Sequence, residues 1–300
     1  MCRRCGLIFI SPRMTREGYD EYYKFHYRLD RNTVKGSSNE TDLAANFAVA
    51  RKFGQALARR FRKYWGEGLT VDVGSSTGGI LAGLKAEVLA LKIFGIEPSV
   101  TESNYANAHD VPTKTALFED FKGGLLEPAA NILCVQSLNH LLDPKRFLRW
   151  SFENLRDGGH IFLAVKNFRH QVRRAGAIEA GVQIDHVYMF TPETLKAMVE
   201  SVGFKIVAFE VDEGEPQSVL RAQRAEGIPR HHIRLVARKN GNGLHLKASP
   251  LADLKGDAFK SGRIKWWKLR LSFWLPFVRL VYILKYSHRF SKVRRLFGLA

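Results

Sequence analysis

The string Val71-Asp72-Val73-Gly74-Ser75-Ser76-Thr77-Gly78-Gly79 constrains this chain more than any other. It joins a β-rich stretch, Leu69–Val73, to a helix expected over Gly79–Glu87. Small residues at such a junction let a ligand approach the main chain beside a helix N-terminus. Two phosphate-binding loops are excluded by the spacing. A dinucleotide fingerprint needs glycine where Ser76 stands, and a P-loop needs a terminal Gly-Lys-Ser/Thr that is absent here. Glu97 closes the next expected strand, Leu91–Ile96, where an acid can accept the two hydroxyls of a ribose.

Around the loop, strands and helices alternate. Thr41 or Asp42 caps a helix running to about Tyr64, with Leu43, Phe47, Ala50, Phe53, Leu57 and Phe61 at helical spacing. Ala130–Val135 reads as a strand, followed by the loop Gln136–Pro144 and a helix over Lys145–Leu155. A turn at Asp157-Gly158-Gly159 leads to a further strand, His160–Val165. Thr191-Pro192-Glu193 opens a helix that ends before Gly203, and Phe204–Val211 with His232–Arg238 forms a late antiparallel pair. Such alternation argues an α/β domain with a mostly parallel sheet and helices on both faces.

The Asp72-x-Gly74-x-x-x-Gly78 loop resembles that of class I S-adenosylmethionine (SAM) methyltransferases, and other strings follow in that family's order. They are Leu141-Leu142-Asp143-Pro144, Arg156-Asp157-Gly158-Gly159-His160, and Asp185-His186-Val187-Tyr188-Met189-Phe190-Thr191-Pro192. The resemblance implies a Rossmann-like class I methyltransferase fold with a mostly parallel seven-stranded sheet and SAM as cofactor. It also implies site residues. Asp72, Gly74, Ser75 and Gly78 shape the cofactor loop, and Glu97 holds the ribose. Phe118 and Glu119 line the adenine pocket, and Gln136 joins them after the strand Ala130–Val135.

Methyl transfer needs a positioned acceptor and, where the acceptor carries a proton, a base. Asn139-His140 lies in the loop after Ala130–Val135, at the end of the sheet where reacting groups gather. One subgroup of the family that this chain resembles often has Glu-His there, so the resemblance makes His140 the expected base, with Asn139 replacing the neighbouring carboxylate. The alternative for His140 is a structural loop histidine. Asp185-His186 forms a second acid–base pair, or else His186 bonds a backbone carbonyl. Tyr22, Tyr23 and Tyr27 close over the site as a lid or serve as packing, and Cys134 belongs to the core. Cys2-x-x-Cys5-Gly6-Leu7-Ile8-Phe9 resembles one knuckle of the zinc-ribbon that fronts a subgroup including sugar C-methyltransferases. Structural zinc takes four ligands. With two cysteines close together, no metal site is expected.

Net charge is +18, and residues 241–300 hold 13 Lys/Arg against Asp253 and Asp257, so the remainder carries +7. The excess therefore belongs mainly to an appendage, which argues against nucleic acid as the partner. The sequence divides into 1–45, a zinc-ribbon remnant and aromatic lid; 46–240, the methyltransferase domain; 241–262, a linker; and 263–300, a basic aromatic amphipathic tail. Trp266, Trp267, Phe273, Trp274, Phe277 and Tyr282 stand there among lysines and arginines, a composition suited to an anionic membrane surface. A protein partner and single-stranded nucleic acid are the alternatives for the tail. Three cysteines and no long apolar run suit a cytoplasmic protein, peripheral on the inner face of the membrane. The expected acceptor is a small molecule: a sugar, nucleotide-sugar or glycolipid precursor. The competing functions are an RNA methyltransferase and a catalytically inactive SAM-fold module that binds membrane.

Overall fold

A computed structural model describes residues 2, 5–26, 42–121, 124–175, 181–183, 185–213 and 215–240. The linker at 241–262, the basic tail at 263–300 and Tyr27 lie outside the described residues.

In chain order the elements are β1 (Ile8–Phe9), α1 (Arg16–Glu21) with a π-helical turn over Tyr22–His26, α2 (Leu43–Arg60), β2 (Gly68–Val73), α3 (Gly79–Glu87), β3 (Leu91–Glu97), α4 (Val100–Ala108), β4 (Thr113–Thr115), β5 (Ala129–Val135), α5 (Pro144–Asn154), β6 (Leu155–Lys166), α6 (Phe168–Ala175), β7 (Tyr188–Met189), α7 (Pro192–Glu200), β8 (Phe204–Val211), α8 (Gln217–Ala225) and β9 (His232–Lys239). The main sheet has seven strands in the order β4-β3-β2-β5-β6-β9-β8. Its pairs are parallel except those made by β9, which runs antiparallel to both β6 and β8.

The central strand β5, Ala-Ala-Asn-Ile-Leu-Cys-Val, is buried along its whole length, as a parallel strand covered on both faces must be. Its side chains alternate between two cores. Ile132 and Cys134 join Val71, Val73, Ile161 and Leu163 under Phe147 and Leu148 of α5 and Leu195 and Val199 of α7. Leu133 and Val135 join Phe162, Ala164 and Val236 under Phe53 and Leu57 of α2, Phe61 just after it, and Leu81 and Leu84 of α3. The expected caps form as well: the Asp42 side chain accepts from Ala45 N–H, and the Thr191 hydroxyl accepts from Thr194 N–H.

The chain leaves β2 for β3 and β4 on one side, then returns to place β5 and β6 on the other. The carboxyl ends of β2 and β5 therefore flank a crevice at the point where the strand order reverses.

Two features depart from the sequence reading. The turn expected at Asp157-Gly158-Gly159 is instead part of β6, where the register slips opposite Ala129 and Asn131. Gly158 takes φ +74° at this irregularity, so the glycines bend a continuous strand rather than interrupt it. The Cys2–Phe9 segment also reaches the domain: β1 pairs antiparallel with β7, Ile8 opposite Met189. Among the described residues, no helix is long and apolar enough to cross a membrane.

Candidate active site

The glycine loop turns out of β2 through Gly74 at φ +78°. Its N–H donates to Ile96 O of the neighbouring strand at 2.8 Å. A Cβ on Gly74 would stand 2.3 Å from Ser137 Oγ, which follows β5, so the loops after the two central strands touch here. Gly78, at φ +79°, caps α3, and a Cβ there would meet Val111 Cγ1 at 2.8 Å. Both glycines are required by backbone shape as well as by space. Ser76, the residue that breaks the dinucleotide fingerprint, also adopts a positive φ of 51°.

This conformation aims the Ser76 N–H at Glu97. The Glu97 carboxylate accepts from Ser76 N–H through Oε2 at 2.8 Å and from Ser99 N–H through Oε1 at 3.0 Å. Ser76 Oγ donates to Glu102 Oε1 at 3.0 Å. A buried carboxylate at the end of β3 is thereby fixed by two main-chain donors, each using one lone pair of one oxygen.

A cavity of about 340 Å³ opens over these residues, within the roughly 300–1,000 Å³ of small-molecule sites. Of the expected site residues, Gly74, Ser75, Glu97, Phe118, Glu119, Gln136 and His140 line it. Two buried oxygens in that lining, Ser75 Oγ and Glu119 Oε2, have no hydrogen-bond partner among the described residues. Unpaired buried polar atoms facing a cavity are what a polar ligand must satisfy. The other Glu119 oxygen accepts from Leu142 N–H at 2.8 Å. Phe118 is held edge-on by Phe147 and Trp150, with ring centroids 5.4 Å away in each case. These residues fit SAM, whose adenosine and amino-acid parts need an acid for the ribose, a flat apolar wall and further polar partners.

Asp72 lies under the loop and outside the cavity lining, wholly buried. Burial, with the Glu97 charge second, pushes its carboxyl up to about 8, so it is neutral at pH 7. A folded acid with a raised pKa binds more protons than the unfolded chain between its two pKa values. Folding stability is therefore lost as pH rises from 3.8 to about 8. Asp72→Asn should remove a fall of up to about 1.4 kcal/mol per pH unit in that window, read from urea melts across pH.

His140 borders the cavity where the β5 loop meets the N-terminal segment. Tyr19 donates its hydroxyl to His140 O, and Tyr23 OH stands 2.7 Å from His140 Nδ1. Tyr23 also donates to Asp185 O at 2.9 Å, and His140 Nδ1 lies 2.7 Å from that same carbonyl. A carbonyl oxygen only accepts, and the Tyr23 proton is committed to it. In the tautomer that carries its proton on Nδ1, His140 donates to that carbonyl as well.

The other expected residues sit behind this face. His186 is buried, its ring 4.8 Å from that of His140 and edge-on to it. Asn139 is buried too. Its Nδ2 donates to Tyr188 O at 3.2 Å, and its carbonyl accepts from Tyr188 N–H at 3.2 Å. Asn139 thus ties the β5 loop to β7 and does not reach the cavity. Of the aromatic segment, Tyr19 and Tyr23 line the cavity, while Tyr22 packs edge-on against Tyr23 at 5.2 Å. The sequence reading missed Tyr19 and Ser137. Tyr19 stands four residues before Tyr23, a helical spacing that puts both rings on one face. Ser137 carried no signal, because its role arises from the contact between two strands distant in sequence.

The sequence profile described as "Methyltransferase domain" matches residues 48–208. No curated protein matches the chain. Among solved structures, the plantazolicin methyltransferase BpumL in complex with SAH is 12% identical, with a TM-score of 0.49, covering 75% of this chain and 98% of that one. A chain from the complex of the Haloferax volcanii Trm112 methyltransferase activator with a candidate methyltransferase is 14% identical, with a TM-score of 0.51, covering 76% and 100%. A Mesorhizobium loti S-adenosylmethionine-dependent methyltransferase is 16% identical, with a TM-score of 0.48, covering 61% and 97%. The Haloferax volcanii likeness is one of fold. The profile spans more than half the chain, from within α2 into β8, and so includes the glycine loop, Glu97 and His140. The chain belongs to the methyltransferase-domain family and is a class I methyltransferase whose cofactor is S-adenosylmethionine.

Proposed function

We propose that this enzyme methylates a small-molecule acceptor, a sugar, nucleotide-sugar or glycolipid precursor, with His140 as the base that removes the acceptor's proton. The observation that carries the reading is the place of His140, which lines the cavity while its Nδ1 is held by Tyr23 and Asp185 O. A neutral imidazole with its proton on Nδ1 accepts a proton at Nε2. Bound SAM supplies an electrophilic methyl group on a sulfonium centre. Glu97 accepts the ribose hydroxyls. Phe118 and Glu119 receive the adenine, and Ser75 and Gln136 face the cofactor. Tyr19 and Tyr23 enclose the acceptor side and exclude water. Gly74 and Gly78 hold the loop in shape, Asp72 supports it from below as a neutral acid, and Asn139 and His186 position His140 from behind.

The resemblance to the zinc-ribbon subgroup, with its sugar C-methyltransferases, supports a sugar acceptor, as do tyrosine faces that stack well on sugar rings. The charge distribution supports a small molecule over RNA: residues 1–240 carry only +7 of the +18. We divide the chain at 45, 240 and 262, and assign the tail at 263–300 to an anionic membrane surface, where a lipid-linked acceptor is presented. The test is transfer of label from methyl-labelled SAM to a panel of nucleotide-sugars, polyprenyl-linked sugars and bulk RNA. Label on a sugar compound is expected. Label confined to RNA contradicts the assignment.

A further inference from the structure

His140, Asp185 and His186 form the one group of metal-donor side chains that comes together among the described residues. One ligand atom from each lies within 4.8 Å of the others. Two imidazoles and one carboxylate are a donor set for zinc and its divalent transition-metal neighbours rather than for magnesium or calcium, which take oxygen ligands. Their surroundings fit metal binding too. A ligating histidine normally commits its second nitrogen to a carbonyl or carboxylate. His140 Nδ1 makes a contact of that kind, 2.7 Å from Asp185 O. His186 is buried, its ring edge-on to that of His140 at 4.8 Å. Asp185 is half-buried, and His140 lines the cavity.

We propose that His140, His186 and the Asp185 carboxylate bind a divalent transition-metal cation of the zinc class beside the cavity that His140 lines. Tetrahedral zinc with donors at about 2.0–2.1 Å sets them about 3.4 Å apart, so the side chains close by about an ångström on binding. The site is separate from the Cys2–Cys5 knuckle. It rests in one respect on the proposed function: the cation occupies the imidazole assigned there as the base. Zinc therefore inhibits methyl transfer, and a chelator reverses the inhibition.

The test is a cobalt(II) titration of the full chain carrying Cys2→Ser and Cys5→Ser, so that thiolates do not contribute, followed by visible absorption. Saturation at one equivalent is expected, with affinity falling about 100-fold or more in His186→Ala and in Asp185→Asn. Asp185 is half-buried, and its replacement keeps the fold intact even where loss of buried His186 does not. Both variants are checked for cooperative unfolding and for SAM binding. Absence of saturable binding, or undiminished affinity in a folded Asp185→Asn, overturns the site. Zinc inhibition of labelled-methyl transfer, lost in Asp185→Asn, supports both proposals. Saturable binding accompanied by faster transfer keeps the metal site and overturns His140 as the base.

Discussion

Glu97→Gln weakens SAM binding by about 100- to 1,000-fold while the protein stays folded. The carboxylate already accepts Ser76 N–H on one oxygen and Ser99 N–H on the other. Two ribose hydroxyls donating to this carboxylate would each add a charge-assisted bond of roughly 1.5–3 kcal/mol. Losing about 3–4 kcal/mol corresponds to a factor of roughly 10²–10³. Glutamine is the sharper substitution because it keeps the shape. Its oxygen satisfies one main-chain donor, but its amide nitrogen then points N–H groups at the other donor or at the ribose. Calorimetric titration with SAM gives the affinity, and a urea melt separates it from unfolding. Unchanged SAM affinity in folded Glu97→Gln contradicts the ribose assignment.

His140→Gln lowers kcat by about 100- to 10,000-fold, the usual range for a general base, and leaves the SAM dissociation constant within about twofold. The separation follows from position. His140 stands in the loop after β5, against the tyrosines of the N-terminal segment, whereas the glycine loop and Glu97 belong to the ends of β2 and β3. Tyr23→Phe is the companion variant. It removes one hydroxyl that bridges His140 Nδ1 and Asp185 O, a bond of about 0.5–1.5 kcal/mol, so kcat falls by up to about tenfold with little change in SAM affinity. A His140→Gln enzyme that keeps full kcat eliminates the base, whatever its effect on acceptor KM.

The difference between these two sites explains what the sequence disclosed. Elements that carry their own local signal were legible: Gly79–Glu87 came out at the expected bounds, and β3 and β5 within a residue. The cofactor side was legible for the same reason. Glycine at Gly74 and Gly78 and an acid at a strand end are demands of backbone shape and charge that few residue types meet. The acceptor side was less so. His140 stood out by residue type, but its tautomer depends on Tyr23 and Asp185, which are 117 and 45 residues away. No local pattern encodes that contact. Asn139 marks the same limit, since the pairing with Tyr188 that explains it joins two loops distant in sequence. The short strand β4, Thr-Lys-Thr, escaped because three residues are too few to show a period.

On the proposed function, the crevice between β2 and β5 holds SAM with its reactive end toward His140. A crystal structure of the full chain with S-adenosylhomocysteine tests it most directly. The expected result has both ribose hydroxyls on the Glu97 carboxylate, adenine beside Phe118 and Glu119, and the sulfur on the side of the cavity that His140 lines. A ligand bound with its ribose away from Glu97, or with its sulfur turned from His140, would contradict it.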